Sequence, residues 1–473
     1  MSEAKIEEKN GKVYLTKAGG ADLVDVGYAM NQLIFTLNGI PTLVRKDRTL
    51  FRYTGTHYEE VDETQMRDQI FDFLDTVYKV KIKVDEDGEE TKTYVRVKKS
   101  LRASREVFGA LFAKARNVFL DQNNCFLSGS RKRMVPFANG LLNVKTKELE
   151  PHTPEFFCEY VTPYSYDPSA TCKQWETYVR ERWPGDQEAY DALQQIFGYI
   201  MFGSGEMHKI FYIWGEQRSG KGTITKMISE MLGGTQVASA VTNDLVSAFG
   251  KQKAINKKML VFPDVRLGNE DHAKLAEALL SISGGDVISV SRKYKEDRIG
   301  ILNCKLLMFS NEVLQIRETS GALSGRMIML RTVGSFYGSE VANYFDRFRG
   351  EVAGVLNWAL EGWEALQEAN FRMVQPKSGL GSKAMFEDSS TLLTSFVEEV
   401  CVQDSKHEIT DSDLYEAYVG WCRGSGQKAL SRNAFRMRLQ AAYPEVKLVR
   451  RQLKSGTRQY YIVGLQNAKN LVH

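Results

Sequence analysis

The chain has 473 residues, of which 43% are hydrophobic and 26% charged, with a formal net charge of +4; that balance excludes a disordered chain, and the length suits about three domains. No run of about 18 apolar residues occurs, which excludes a membrane-spanning helix, and the polar start MSEAKIEEKNGK lacks the apolar centre of a secretory signal. The six cysteines are scattered without a C-x-x-C pair, so neither a zinc module nor a disulfide framework is expected and a reducing cytoplasm fits.

In chain order, residues 1–20 read as a polar tail. LVDVGYAMNQLIFTL reads as a helix, TLFRYTGTHYEEV as a strand pair around Gly55, and Thr64 to Tyr78 as a second helix. VKIKV and TKTYVRV alternate around an acidic turn at Gly88, which predicts a hairpin, and Ser100 to Leu120 predicts a helix. RMVPFANGLLNVKTKELEPHTPE suggests short strands and turns. DPSATCKQWETYVRERW and DQEAYDALQQIFGYIMFG predict two helices, followed by alternating strands and helices that imply a mostly parallel sheet. A long helical stretch, SEVANYFDRFRGEVAGVLNWALEGWEALQEA, ends that region, and Pro376 to Lys383 reads as a linker. This gives an α+β region over 1–164, an α/β region over 165–375 and a third domain over 385–473.

KIFYIW reads as a buried strand, and the loop Gly215-Glu216-Gln217-Arg218-Ser219-Gly220-Lys221-Gly222-Thr223 follows it. ITKMISEML then has apolar residues at helical spacing. Strand, glycine loop and helix come in the order that a phosphate-binding loop needs. Glycines let backbone N–H groups turn toward phosphate oxygens, and the helix N-terminus adds positive potential. Lys221 is placed to meet the β- and γ-phosphates of ATP. The residue after the lysine is Gly222 rather than a hydroxyl residue, so the Mg²⁺-binding hydroxyl falls to Thr223.

A second carboxylate is needed for the metal and the attacking water. KKMLVFPDVR supplies Asp264 at the end of an apolar strand, which we expect beside the P-loop strand. KLLMFSN is a further short strand that ends in Asn311, an amide able to orient water, and GALSGR offers Arg326, a cation able to stabilise transition-state charge in its own subunit or a neighbour's. Between acid and amide, GGDVISVSRKYKEDRIGIL predicts a hairpin whose tip carries Arg292, Lys293, Tyr294 and Lys295, a cation–aromatic mixture suited to single-stranded DNA or to a solvated tip.

These pieces resemble the superfamily 3 helicases of the AAA+ class, and more closely the poxvirus-like primase-helicases of phages, plasmids and other mobile genetic elements. FANGLLNVKTKELEPHTPE, YDPSATCKQWETYV, LQQIFGYIMFG, VFPDVRLG, LLSISGGD, SRKY, SNE, SGALSGRMIMLR and VLNWALEGW carry the resemblance, which runs from about Asp22 to Gln375. It implies an ATP-driven replicative DNA helicase that forms a homo-oligomeric ring, a hexamer, and moves 3′ to 5′ on single-stranded DNA in the cytoplasm of a bacterial host. By motif, it makes Lys221 the P-loop lysine, Asp264 the second-motif acid, Asn311 the sensor asparagine, Arg326 the arginine finger, and Lys293 or Lys295 the pore-hairpin cation. Animal-virus members carry adjacent acids at the second motif, whereas Val265 follows Asp264 here; the catalytic base therefore stays unassigned, with Glu277 and Glu312 as further carboxylates. Many relatives also carry a primase domain; here no primer synthesis is expected, and a separate primase or polymerase would be a partner.

From Trp421 to His473 there are eleven Lys/Arg and one acid, a basic block that points to an anionic partner. TLLTSFVEEVCV, DSDLYEAYVGWC and SRNAFRMRLQAAY predict three helices, and VKLVRRQLKSGTRQYYIVG two strands. That order suits a winged helix, with Arg432 and Arg436 on the recognition helix and Arg450, Arg451 and Lys454 on the wing, all directed at duplex DNA. Two other functions stand beside the helicase. An ATP-switched origin-binding protein without unwinding would share every motif. A small-molecule kinase shares GKGT, but about 200 residues precede this P-loop, and such an enzyme has no use for the basic block.

Overall fold

The computed structural model describes residues 3–467 except 47, 119–132, 206, 267–271, 294, 314–315, 317–321, 339–340, 374, 426–428, 444 and 453–457. The chain is of mixed α/β class and divides into two compact units, Met1–Tyr166 and Asp167–His473. Among the described residues no helix is long and apolar enough to cross a membrane.

In the first unit, three helices pack on one face of a four-stranded sheet. The helices Leu23–Ile34, Glu63–Thr76 and Leu101–Lys114 begin at Asp22, Asp62 and Ser100, whose side chains accept from the first free N–H groups. The expected polar tail is instead a hairpin: Lys5–Lys9 pairs with Lys12–Thr16, and the latter lies parallel to Val77–Val84. Asn10 and Gly11 both take positive φ, 53° and 68°, as a tight two-residue hairpin turn requires, and Val13 and Leu15 are buried on the helices. The stretch was polar on average but alternated, and alternation decides a strand. The helix expected to Leu120 stops at Lys114, and Arg116–Asn117 joins a second sheet beside Leu43–Lys46. The expected strand pair around Gly55 forms as Thr49–Tyr53 and Tyr58–Glu60. Met134–Phe137, Gly140–Asn143 and Leu149–Glu150 make a short meander.

The second unit opens with α1 (Lys173–Arg182) and α2 (Gln187–Phe202). The P-loop strand β1 (Ile210–Trp214) and helix α3 (Lys221–Leu232) follow, then β2 (Val237–Ser239) and β3 (Met259–Phe262). Helix α4 (His272–Gly284) leads to a separate hairpin, β4 (Val287–Arg292) and β5 (Lys295–Ile301). Then come β6 (Lys305–Ser310), the short α5 (Ala322–Arg326), β7 (Met327–Arg331) and α6 (Val352–Glu368). The five-stranded sheet has the order β2-β3-β6-β1-β7, and all its pairings are parallel. Its central strands are buried along nearly their whole length, as a parallel sheet covered on both faces demands.

Helices α2 and α6 approach through glycines on both sides. A Cβ on Gly198 would stand 2.4 Å from Ala359 O, and one on Gly362 would stand 2.3 Å from Gln194 O. The first half of the long helical stretch expected before α6 is a 3-10 segment, Tyr344–Glu351.

The expected linker at Pro376 to Lys383 is helical from Lys377, within α7 (Lys377–Val400). Gly379 serves packing rather than flexibility, because a Cβ there would fall 1.8 Å from Met329 O of the edge strand β7. The Gln375 side chain donates to Met329 O and accepts from Met329 N. Trp214 Nε1 donates to Ser382 Oγ at 2.8 Å, which ties α7 to the end of the P-loop strand.

The remaining elements are β8 (Cys401–Thr410), α8 (Asp411–Gly424), α9 (Arg432–Ala442), β9 (Lys447–Gln452) and β10 (Arg458–Asn467). Strand β8 was not expected; it pairs antiparallel with β10, giving the sheet order β8-β10-β9.

The glycine contacts give a stability test. Gly198→Ala overpacks a helix contact and should lower stability by about 1–3 kcal/mol. Gly420→Ala, in α8 with nothing within 4 Å of the added carbon, should instead be neutral or stabilising by up to about 1 kcal/mol. Urea midpoints of the two variants check the opposite signs.

Candidate functional site

The P-loop stands at a switch point of the sheet. Strands β6, β3 and β2 lie on one side of β1 and β7 on the other, and ligands bind outside the carboxyl ends of such strands. The loop's conformation needs its glycines. Gly215 has φ 157°, and a Cβ there would meet Thr332 Oγ1 at 2.1 Å; Gly220, the residue before α3, has φ 95°. Arg218 also takes a positive φ, 60°.

Several buried side chains fix the loop. Ser219 and Thr332 are both buried, with their hydroxyl oxygens 2.8 Å apart, and Thr332 N donates to Trp214 O. Tyr178 on α1 donates its phenol to Gly220 O at 2.7 Å. Burial raises that phenol's pKa, while the Thr223 hydroxyl bonded to it and the Arg182 guanidinium lower it. Arg182, 2% exposed, packs its guanidinium 4.2 Å from the Phe336 ring centre. Phe336 N in turn donates to Arg218 O, and Ser335 Oγ donates to Gln217 O, so the segment after β7 runs along the loop.

Lys221 Nζ donates to Gly215 O at 2.6 Å and Glu216 O at 2.7 Å, and lies 3.2 Å from Ser219 Oγ. Burial lowers its ammonium pKa below the ordinary value, against the pull of the Asp264 carboxylate, which raises it. Lys221 and Asp264 are therefore within electrostatic reach.

The acid strand does not lie beside the P-loop strand, as we had expected. Strand β6, which ends just before Asn311, separates β3 from β1, so acid and P-loop strands stand about 10 Å apart. The chain runs out to β3 before returning to fill the gap, an order that sequence does not specify. Asn311 consequently follows the strand between them. Ser310 links the three: its O accepts from Gly215 N at 3.3 Å, and its Oγ donates to Val265 O at 3.0 Å. Asp264 itself pairs with Arg266 at 2.9 Å and stays half exposed.

Arg326 lies at the other edge of the sheet. Strand β7 begins at Met327, opposite Ile210, and the P-loop leaves β1 at Trp214, opposite Arg331. Five residues of strand, about 16 Å, separate Arg326 from the loop of its own chain. Its Nη1 donates to Leu280 O and to Ser283 Oγ (3.0 Å), at the C-terminal end of α4, where a cation is favoured.

The expected hairpin forms as β4 and β5, with Arg292 opposite Lys295 and Lys293 in the turn; Tyr294 lies outside the described residues. Lys293 N donates to Gln252 Oε1 at 3.3 Å, and Arg298 donates to Asn256 Oδ1 at 2.7 Å, which holds the hairpin at its tip and midway along β5.

In the C-terminal part, Arg432 and Arg436 both bond Asp411, at 2.7 Å and 2.6 Å. Arg436 and Arg450 lie over one ring, that of Tyr460, at 4.8 Å and 5.5 Å. Arg451 pairs with Glu408 at 2.9 Å. Lys454 lies outside the described residues.

Sequence reasoning missed Tyr178, Arg182, Ser310 and Thr332. Tyr178 and Arg182 share a helix face at i, i+4 spacing, which reads as ordinary core. Ser310 and Thr332 are single hydroxyl residues at strand ends, and nothing nearby in the chain singles them out.

Two predictions follow from these contacts. Tyr178→Phe removes the bonds to Gly220 and to the Thr223 hydroxyl and keeps the ring, so nucleotide affinity should fall by about tenfold, the loss of about 1 kcal/mol or somewhat more from these hydrogen bonds; titration with a fluorescent ATP analogue measures it. For Asp411, burial alone would raise the carboxyl pKa, but Arg436 and Arg432 outweigh it and hold it below the ordinary 3.8. Its stabilising contribution is therefore full above about pH 4 and is lost as pH falls through the lowered folded value. Asp411→Asn should flatten the acid limb of the thermal melting profile of the full chain.

Comparisons with known proteins agree in part with this layout. A family model described as D5 N terminal like matches residues 42–184, and one described as poxvirus D5 protein-like matches residues 390–467. Residues 213–326, from the P-loop strand to Arg326, match a family of unknown function, DUF5906. The apo structure of the NrS-1 C-terminal region is similar over 89% of this chain and 95% of that chain, with 10% identity and a TM-score of 0.50. An A-form apo structure of the same region gives 88%, 94%, 10% and 0.49. At such identity the first likeness establishes a shared fold.

Proposed function

Since the chain belongs to the D5-like primase-helicase family, with its relationship to superfamily 3 helicases, we propose that it is an ATP-hydrolysing replicative DNA helicase of the AAA+ class. One observation carries this reading. The glycine loop, Asn311 and Asp264 follow the carboxyl ends of the three central parallel strands of the sheet, and the Asp264 carboxylate raises the Lys221 pKa against the effect of burial.

In this reading the N–H groups of residues 215–223 wrap the phosphates of ATP, and Lys221 exchanges its loop carbonyls for the β- and γ-oxygens. Thr223 and Asp264 would hold Mg²⁺, which supplies charge neutralisation at the phosphates. The donor set fits: Asp264 is half exposed and pairs with the exposed Arg266, and Thr223 stands in the first turn of α3, where its hydroxyl would exchange the Tyr178 phenol for the metal. Asn311, placed between loop and acid, would orient the attacking water. Arg326 is too far from its own P-loop to act there, which favours service to a neighbouring subunit's ATP in a ring, a hexamer by resemblance. The hairpin with Lys293 and Lys295 would contact single-stranded DNA and move it, 3′ to 5′, on hydrolysis.

The C-terminal elements, α7 through β10, have the order helix, strand, two helices and two strands, which supports a winged helix for duplex or origin DNA. Arg450 is then a stronger phosphate contact than Arg432 and Arg436, whose charge Asp411 partly neutralises.

Lys221→Ala should abolish ATP turnover, and Arg326→Ala should keep ATP binding but lose on the order of 10³-fold in turnover. Mixed before assembly, the two inactive variants should recover part of the activity, because an intact P-loop then meets an intact arginine from the next subunit. No recovery at any ratio would defeat the shared site. Strand displacement on a tailed duplex separates a helicase from a non-unwinding, ATP-switched origin-binding protein.

A further inference from the structure

The four-stranded sheet of the first unit covers its helices with one face, and among the described residues the side chains of its other face are mostly exposed or half-exposed. Side chains alternate along a strand, and directly paired residues share a face. Val13, Leu15 and Val77 point to the helices and are buried. The register therefore sends Tyr14, Tyr78 and Tyr94 to the opposite face. Tyr14 stacks on Tyr78 with ring centres 5.7 Å apart and meets Tyr94 edge-on at 5.4 Å. Beneath them Val80 is only 5% exposed, so the rings form a floor, while Tyr94 itself is 56% exposed.

Cations surround this floor. Lys12 Nζ lies 5.2 Å over the Tyr78 ring. By register, Lys5 and Lys9 on one side and Lys92 on the other share the tyrosine face, against the carboxylates of Glu7 and Glu90, while Arg96 on the same face is held by Asp75 at 2.7 Å. Protein-binding surfaces are depleted in lysine at their centres, whereas aromatic rings among lysines suit bases and phosphates together. The turn beyond, Asp85-Glu86-Asp87-Gly88-Glu89, is acidic and would repel phosphate, confining a bound strand to the tyrosine end.

We propose that this face binds single-stranded nucleic acid, with about two or three bases on the tyrosines, as on other open four-stranded sheets, and phosphates at Lys9, Lys12 and Lys92. The site lies in a different unit from the P-loop and stands whether or not the chain unwinds DNA.

The test uses the full chain and short single strands, DNA and RNA in parallel arms, carrying photoreactive 5-iodouracil. Cross-links should map to peptides containing Tyr14, Tyr78 or Tyr94 in at least one arm, and the arm identifies the sugar. Tyr94→Ala with Lys92→Ala should cut that cross-linking about tenfold, the loss of roughly one stacked base. Tyr94→Phe should retain it, because the ring remains, and both variants should keep wild-type melting and nucleic-acid-free ATPase rates. Mapping by peptide separates this face from any strand contact at the β4–β5 hairpin or in the C-terminal elements. Absence of cross-links on these peptides in both arms, or undiminished yield in the double variant, overturns the proposal. So does a double variant that changes only the particle mass by light scattering, which would assign the face to a protein partner.

Discussion

A single buried contact, Gly215 against Thr332, sets the geometry of the nucleotide site. Any side chain at 215 would collide with the Thr332 hydroxyl, and that hydroxyl lies 2.8 Å from Ser219 near the loop's other end. The residue just after strand β7 thereby clamps the loop at its entry and near its exit. Tyr178 adds a third point at Gly220. A loop that must present its amides to phosphate cannot use them to hold its own shape, so neighbouring side chains hold it instead. This explains why the fixing groups come from α1 and from the segment after β7, both remote in sequence.

The same division separates what was legible in the sequence from what was not. The P-loop, the strands before Asp264 and Asn311, and the β4–β5 hairpin follow from local pattern: short apolar runs, glycines and an alternating segment with a basic tip. The order of strands across the sheet does not, since β6 inserts between β1 and β3 and only tertiary packing decides that. Composition misled at two places. Residues 5–16 are polar enough to look like a tail, yet their alternation and the Asn10-Gly11 turn build an edge hairpin. Residues 376–383 look like a linker, yet Gly379 admits a close contact with β7.

Charge was similarly easy to count and hard to assign. The basic block after Trp421 includes arginines that a buried carboxylate already engages. Arg432 and Arg436 converge on Asp411, 1% exposed, at the start of α8. Such an ion pair fixes the crossing of α8 and α9 more than it adds net stability, because burial of the carboxylate offsets much of the attraction. The cations that remain outward, Arg450 among them, carry the block's field.

The Gln375 side chain bears on how copies of this chain could meet. By bonding both Met329 N and Met329 O, it occupies the outward backbone groups at the middle of the edge strand β7. The opposite edge, β2, is three residues long. Among the described residues this sheet therefore presents little free backbone at either margin, which disfavours its propagation from one molecule into the next. In the ring proposed above, contacts made by this sheet would then run through side chains, which can slip and re-form without breaking a row of backbone hydrogen bonds. An assembly joined in that way can change its subunit angles repeatedly, whereas one stitched by a continuous sheet would be locked in a single arrangement.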